Sequence, residues 1–99
     1  MNWLLDIEPD VLDAIAAWWQ DYPALPDLVM QRLFDELAAD PDAHLGPAMV
    51  PTAYRPYYMV FDGYAGIPDG LTCTFAVLRA PGAGGLPGTL LLWSCQRAP

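Results

Sequence analysis

Lysine is missing from this sequence altogether. Positive charge rests on Arg32, Arg55, Arg79 and Arg97 against twelve Asp and Glu, and the net charge is −8. General nucleic-acid affinity comes from neutralising phosphates with Lys and Arg, so this balance argues against it and leaves a small, locally positive RNA site on the second half open. Cysteine is scarce too. Cys73 and Cys95 are too few for a disulfide framework, and both fall in predicted strands, where buried reduced thiols are expected. The one histidine, His44, has Asp40 and Asp42 near it in a proline-bounded loop, a thin donor set, so the expectation is a surface histidine with no metal and no cofactor. No apolar run approaches the roughly 18 residues of a spanning helix. The opening Met1 to Asp6 lacks a basic region, and Asp6 and Glu8 stop its apolar residues; the expectation is a cytoplasmic protein without membrane contact.

What is present is a large apolar fraction. Fifty-five per cent of the 99 residues are hydrophobic and four are Trp, enough for one core and one domain spanning residues 1–99. Disorder is excluded by the same numbers. The acids are unevenly placed: residues 1–42 hold ten of them against Arg32 alone, a local balance of −9. Residues 43–99 hold Asp62 and Asp69 against three arginines, a balance of +1. Acids on the outer faces of early helices account for that asymmetry.

Trp3–Ile7 reads as a short strand. Pro9 and Asp10 open a helix whose apolar residues Val11, Leu12, Ile15, Trp18, Trp19 and Tyr22 share one face, and Tyr22-Pro23 ends it. Pro26-Asp27 opens a second helix with Val29, Met30, Leu33, Phe34 and Leu37 at helical spacing, stopped at Asp40-Pro41. The short link makes the two an antiparallel helical hairpin. After an irregular stretch to Ala53, Tyr54–Asp62 reads as a strand that Pro56 places near an edge or a bulge. Leu71–Arg79 reads as a strand with Cys73, Phe75 and Val77 on one face. Thr89–Arg97 reads as the last strand, and its Leu-Leu-Leu-Trp run suggests burial on both faces. The expected fold is α+β in the order β-α-α-β-β-β, a helical hairpin on an antiparallel sheet.

Chemical motifs are few. The stretch Gly82, Gly84, Gly85, Gly88 lies between strands and has no lysine, so it is a hairpin loop and not a phosphate loop. Ser94 sits mid-strand without the sharp turn a serine nucleophile needs. Asp10/Asp13 and Asp35/Glu36 are assigned to solvent faces of helices. What remains is arginine with aromatics: Arg55, Tyr57, Tyr58 and Phe61 in one strand, Arg79 and Arg97 at the ends of the next two. Such groups hold single-stranded RNA, or they pack under helices and cap strand ends.

The layout, the helix ending Leu33–Pro41, Tyr54-Arg55 opening the second strand and Gln96-Arg97 closing the last resemble the RelE/ParE superfamily of type II toxin–antitoxin toxins. That resemblance implies either a ribosome-dependent mRNA endonuclease or a toxin acting by binding, with a small antitoxin-like protein as partner. It places Arg97, Arg55 and Tyr57 as candidate catalytic residues, with Tyr54 or Tyr58 as alternatives to Tyr57. The third strand opens Leu71-Thr72-Cys73-Thr74 where cleaving members often carry a Tyr-Arg pair, and the lysines are missing. The expectation is therefore a divergent toxin-fold protein that binds a protein partner, with catalysis lost or weakened. An exposed apolar sheet surface from Leu90 to Trp93 is the expected place for that partner or for a homodimer. An active mRNA endonuclease and an acidic interaction module unrelated to toxins are the alternatives.

Overall fold

The computed structural model describes residues 2–98. Strand β1 (Leu4–Ile7) leads into helix α1 (Pro9–Ala17) and a 3-10 turn, Trp18–Gln20. Helix α2 (Leu25–Arg32) runs on into a π-helical turn, Leu33–Leu37, and a short α3 (Pro41–His44) follows. Strands β2 (Arg55–Phe61), β3 (Leu71–Ala80) and β4 (Thr89–Ala98) complete the chain. The class is α+β, with three helices and a four-stranded mixed open sheet among the described residues.

Proline at the first helical position and an acid in the first turn start α1, as the sequence indicates. Its buried stripe is narrower than the apolar pattern predicts. Val11 and Ile15 are buried, whereas Leu12 and Trp19 are exposed, because the tighter turn after Ala17 rotates Trp19 away from the sheet. In the second helix, Leu25, Val29, Leu33 and Leu37 repeat every four residues and all have zero exposure. Four residues overshoot a 3.6-residue turn by about 40°, so such a row drifts round a plain α-helix. The π turn widens the last turn, with Ala38 N–H donating to Leu33 O at 2.9 Å, and brings Leu33 and Leu37 back onto the sheet. Phe34 stays half exposed.

The sheet order is β1-β4-β3-β2, so β2 is an edge strand, as Pro56 requires. β2, β3 and β4 form the expected antiparallel meander. β1 is different: it pairs with β4 in parallel, Leu4 opposite Thr89 through Ile7 opposite Leu92. The fully antiparallel sheet expected from sequence is corrected to a mixed one. After α3 the segment 45–54 returns the chain, so that β2, and hence β4 two hairpin turns later, runs in the direction of β1.

Helices cover one face of this sheet. Met59 and Phe61 of β2, Cys73, Phe75 and Val77 of β3, and Leu90 and Leu92 of β4 all have zero exposure beneath them. The sequence reading of β4 as buried on both faces does not hold: Leu91 is half-buried and Trp93 is 55% exposed. No second helical layer exists among the described residues, and the 46–54 loop crosses the other face, with the Tyr54 ring tilted against that of Trp93 at 6.0 Å between centroids.

Candidate interaction surface

The polar centre of the covered side is Glu36. It accepts hydrogen bonds from Arg32 Nε at 2.6 Å and from the Tyr57 hydroxyl at 3.0 Å, tying the π turn to β2. Arg32 also donates to the Val60 carbonyl at 2.6 Å and lies 4.9 Å above the Phe61 ring. The Arg32 hydrogen bond, joined by that of Tyr57, outweighs burial and lowers the Glu36 pKa. Burial, then the adjacent Glu36 charge, raises the Tyr57 pKa, so this phenol stays protonated and serves as a donor. Glu36 is thus turned inward and is not the solvent-face acid its helical position suggested. His44, expected at the surface, is half-buried, with its ring edge-on to Tyr57 at 5.9 Å.

The three residues expected to form an RNA-cleaving site all lie on the helix-covered face, yet they are not gathered around one point. Arg55 spends its guanidinium on the carbonyls of Gly46 (2.7 Å) and Leu45 (3.1 Å), pinning the return segment to β2. Arg97 is ion-paired with Asp21 and lies over the rings of Trp18 and Tyr22, fastening β4 to the end of the first helix. Arg55 sits opposite Val77 and Arg97 opposite Cys73, so two strand spacings and four residues part their backbones, roughly 16 Å. Arg79 pairs with Asp42 and stacks on Trp3. One buried nitrogen of Arg79 and one of Arg97 lack hydrogen-bond partners, and the aromatic faces beneath these guanidinium groups supply the counterpart.

Cys73 and Cys95 are both free thiols. Their register partners, Arg97 and Phe75, are two residues from each other's strand positions, so the thiols are diagonal neighbours across β3 and β4. Burial pushes the Cys73 thiol up to about 11 and raises that of Cys95. Both are therefore poor nucleophiles at neutral pH. Among the described residues no group of three or more His, Cys, Asp or Glu side chains is placed to hold a metal ion.

The uncovered sheet face has the opposite character. Tyr58 and Val60 project from β2 at 61% and 42% exposure, Thr72, Thr74 and Ala76 from β3, and Leu4 from β1. At Trp93 the β3–β4 ladder shifts register: Ala76 faces Ser94 while Val77 faces Leu92, leaving Trp93 as the extra residue of a bulge. A bulge re-aims a side chain. Here it presents an indole, in contact with Tyr54, at the middle of an otherwise unhelixed face. Beside it a cleft of about 320 Å³ runs between α1 and β4, lined by Asp10, Val11, Ala14, Trp93, Ser94 and Cys95. Ser94 reaches this cleft, but His44 packs on Tyr57 two strands away, so no serine–histidine pair forms. The sequence pointed to Leu90–Trp93 as the apolar surface. Only Leu91 and Trp93 serve there; Leu90 and Leu92 are core. The bulge was not readable, since it depends on the register with β3.

Fold and surface together define a small α+β domain whose cations are held within the chain and whose open sheet face is mainly apolar and hydroxyl-bearing, with Asp6 and Gln96 also exposed on it. No family model, no curated protein and no solved structure significantly matches this chain.

Proposed function

We propose that this protein is a partner-binding domain on a RelE/ParE-like toxin layout, in which RNA cleavage is lost or weakened. The observation that carries the reading is the employment of the arginines. Each of the four is engaged inside the chain, with Glu36, with the 45–46 carbonyls, with Asp42 and with Asp21. Cleavage by attack of a 2′-hydroxyl needs positive charge aimed at the developing phosphorane, and little is left to supply it. The uncovered face instead offers Tyr58, Val60 and Trp93 among threonines, the mixture on which a protein partner buries apolar area and an aromatic anchor. A small antitoxin-like protein is the partner the layout suggests.

The test is expression in a bacterial host together with the product of an adjacent small open reading frame. Co-purification is expected, lost on Tyr58→Asp and kept on charge reversal of Asp10, Asp13 and Asp35. Cell-free translation is expected to proceed unimpaired. Growth arrest relieved by Arg97→Ala, but not by Asp21→Asn (which removes the ion pair and keeps the guanidinium), would establish the endonuclease instead. Capture that fails only on the acidic reversals would place function on the helices and sink the sheet-face reading.

A further inference from the structure

β4 is ten residues long and β1 only four, and their difference leaves an edge. β1 pairs with Thr89–Leu92; Glu8 N–H then donates to Leu92 O at 3.1 Å, and the chain turns off into α1. From Trp93 to Ala98, β4 keeps β3 on one side, Ser94 opposite Ala76 through Ala98 opposite Thr72, and among the described residues has no strand on the other. Six residues of strand present an edge roughly 20 Å long. Among the described residues, no backbone hydrogen bond outside the β3 ladder reaches residues 93–98. Leu92 faces β1, and strand alternation carried through the extra residue at Trp93 turns the N–H and C=O of Cys95 and Arg97 outward.

Natural sheets guard such edges with lysine, proline or a covering element. Residues 93–98 contain neither lysine nor proline. The space beside the edge is the 320 Å³ cleft, in line with β1, where a continuation of that strand would lie had the chain not diverted at Pro9. Its walls are chemically distinct. Val11, Ala14 and the half-exposed Trp93 are apolar, and Asp10 at the rim is acidic and makes no ion pair among the described residues.

We propose that this edge accepts an extended peptide segment of a partner protein, added as a strand beside Trp93–Ala98. Outward N–H and C=O groups of Cys95 and Arg97 supply the ladder bonds, Trp93 takes an apolar side chain and Asp10 a basic one. Nucleic acid does not suit the cleft, since its only charged wall is a carboxylate and the nearby Arg97 is held by Asp21. This inference rests on the partner-binding reading and adds to the sheet face a second surface with a defined occupant.

The experiment is residue-resolved amide exchange on the full chain. The probe is a capped eight-residue peptide alternating valine with threonine and arginine. Without peptide, the Cys95 and Arg97 amides are expected to exchange rapidly while ladder amides of β3 are protected. At millimolar peptide, Cys95 and Arg97 gain about tenfold protection. The same peptide N-methylated at alternate residues gives none. Cys95→Pro removes one outward donor without touching the β3 ladder and abolishes the effect; its folding is checked by its melting curve, and the N-methylated peptide remains decisive if it fails to fold. Protection of Cys95 and Arg97 in the free chain equal to that of β3, or no response to peptide, overturns the proposal. So does protection that follows protein concentration, because a second copy then closes the edge. Partner capture sensitive to Tyr58→Asp without any peptide response sinks the edge and leaves the face reading standing. Peptide protection with no Tyr58-dependent partner does the converse.

Discussion

Glu36 joins three elements at a single carboxylate, since Arg32 belongs to the end of α2, Glu36 to the π turn and Tyr57 to β2. Its lowered pKa fixes the sign of a pH effect. A carboxylate whose folded value lies below its ordinary 4.5 contributes stability that is complete above that value and is lost as pH falls through the depressed folded value. Glu36→Gln is therefore expected to cost about 1–3 kcal/mol in urea unfolding at pH 7, and the gap from the parent protein narrows below about pH 4.5. Tyr57 works in the other direction. Its pKa is raised above the ordinary 10.0, so its contribution holds below that value and fades as pH rises beyond it. Tyr57→Phe should flatten the alkaline limb of the stability curve. Equal acid-side slopes for the parent and Glu36→Gln would remove Glu36 from this role.

Strand β4 shows how one element serves both core and surface. Its first half alternates cleanly, Leu90 and Leu92 beneath the helices and Leu91 half-buried on the far side. Trp93 then interrupts the alternation, and the bulge returns Cys95 and Arg97 to the helix side. Truncating a fully buried leucine removes its transfer energy and leaves a cavity, so Leu92→Ala should cost about 2–5 kcal/mol. Trp93→Ser, at an exposed bulge position, should change stability by about 0.5 kcal/mol or less while weakening partner binding. Thermal melts of the two variants measure this contrast; comparable losses would mean that Trp93 is packed and not presented. The loop 81–88 closes the hairpin before β4, and Gly84 and Gly85 adopt positive φ (61° and 79°) within it, a conformation open to glycine at no steric cost.

At the level of the whole molecule, charge and hydrophobicity are segregated. Among the described residues, three acids of the helical half, Glu36, Asp42 and Asp21, are paired, while the exposed Asp10, Asp13, Asp27, Asp35 and Asp40 make no ion pair. Self-repulsion of the unpaired acids opposes the compact state, and salt screens it with a Debye length of about 10 Å near 0.1 M. The two exposed ion pairs, Arg79–Asp42 and Arg97–Asp21, weaken in salt as well, but such pairs contribute only about 0–1 kcal/mol each. Raising NaCl from about 10 mM to about 300 mM is therefore expected to raise the melting temperature by about 3–5 °C. A fall in melting temperature would mean that Arg79–Asp42 and Arg97–Asp21 outweigh the repulsion. Among the described residues no helix is long and apolar enough to cross a membrane, consistent with acids distributed along both main helices.

Local order was legible in the residues themselves. Prolines at helix starts, the alternation of Cys73, Phe75 and Val77, and the edge signal of Pro56 each act over a few residues, and the structure keeps all three. The short α3 escaped notice, since four residues carry too little periodicity to separate from a loop. Long-range matters were not legible. The parallel pairing of β1, the inward turn of Glu36 and the employment of each arginine depend on which distant element arrives beside it. An absence of lysine said from the start that cations would be few. Only the tertiary structure decided that those few are engaged by groups of the chain itself, because a guanidinium finds its carboxylate, carbonyl or ring through packing between elements far apart in the chain. Composition set how much positive charge exists, and contacts across as many as 76 residues of sequence, as between Arg97 and Asp21, set where it is used.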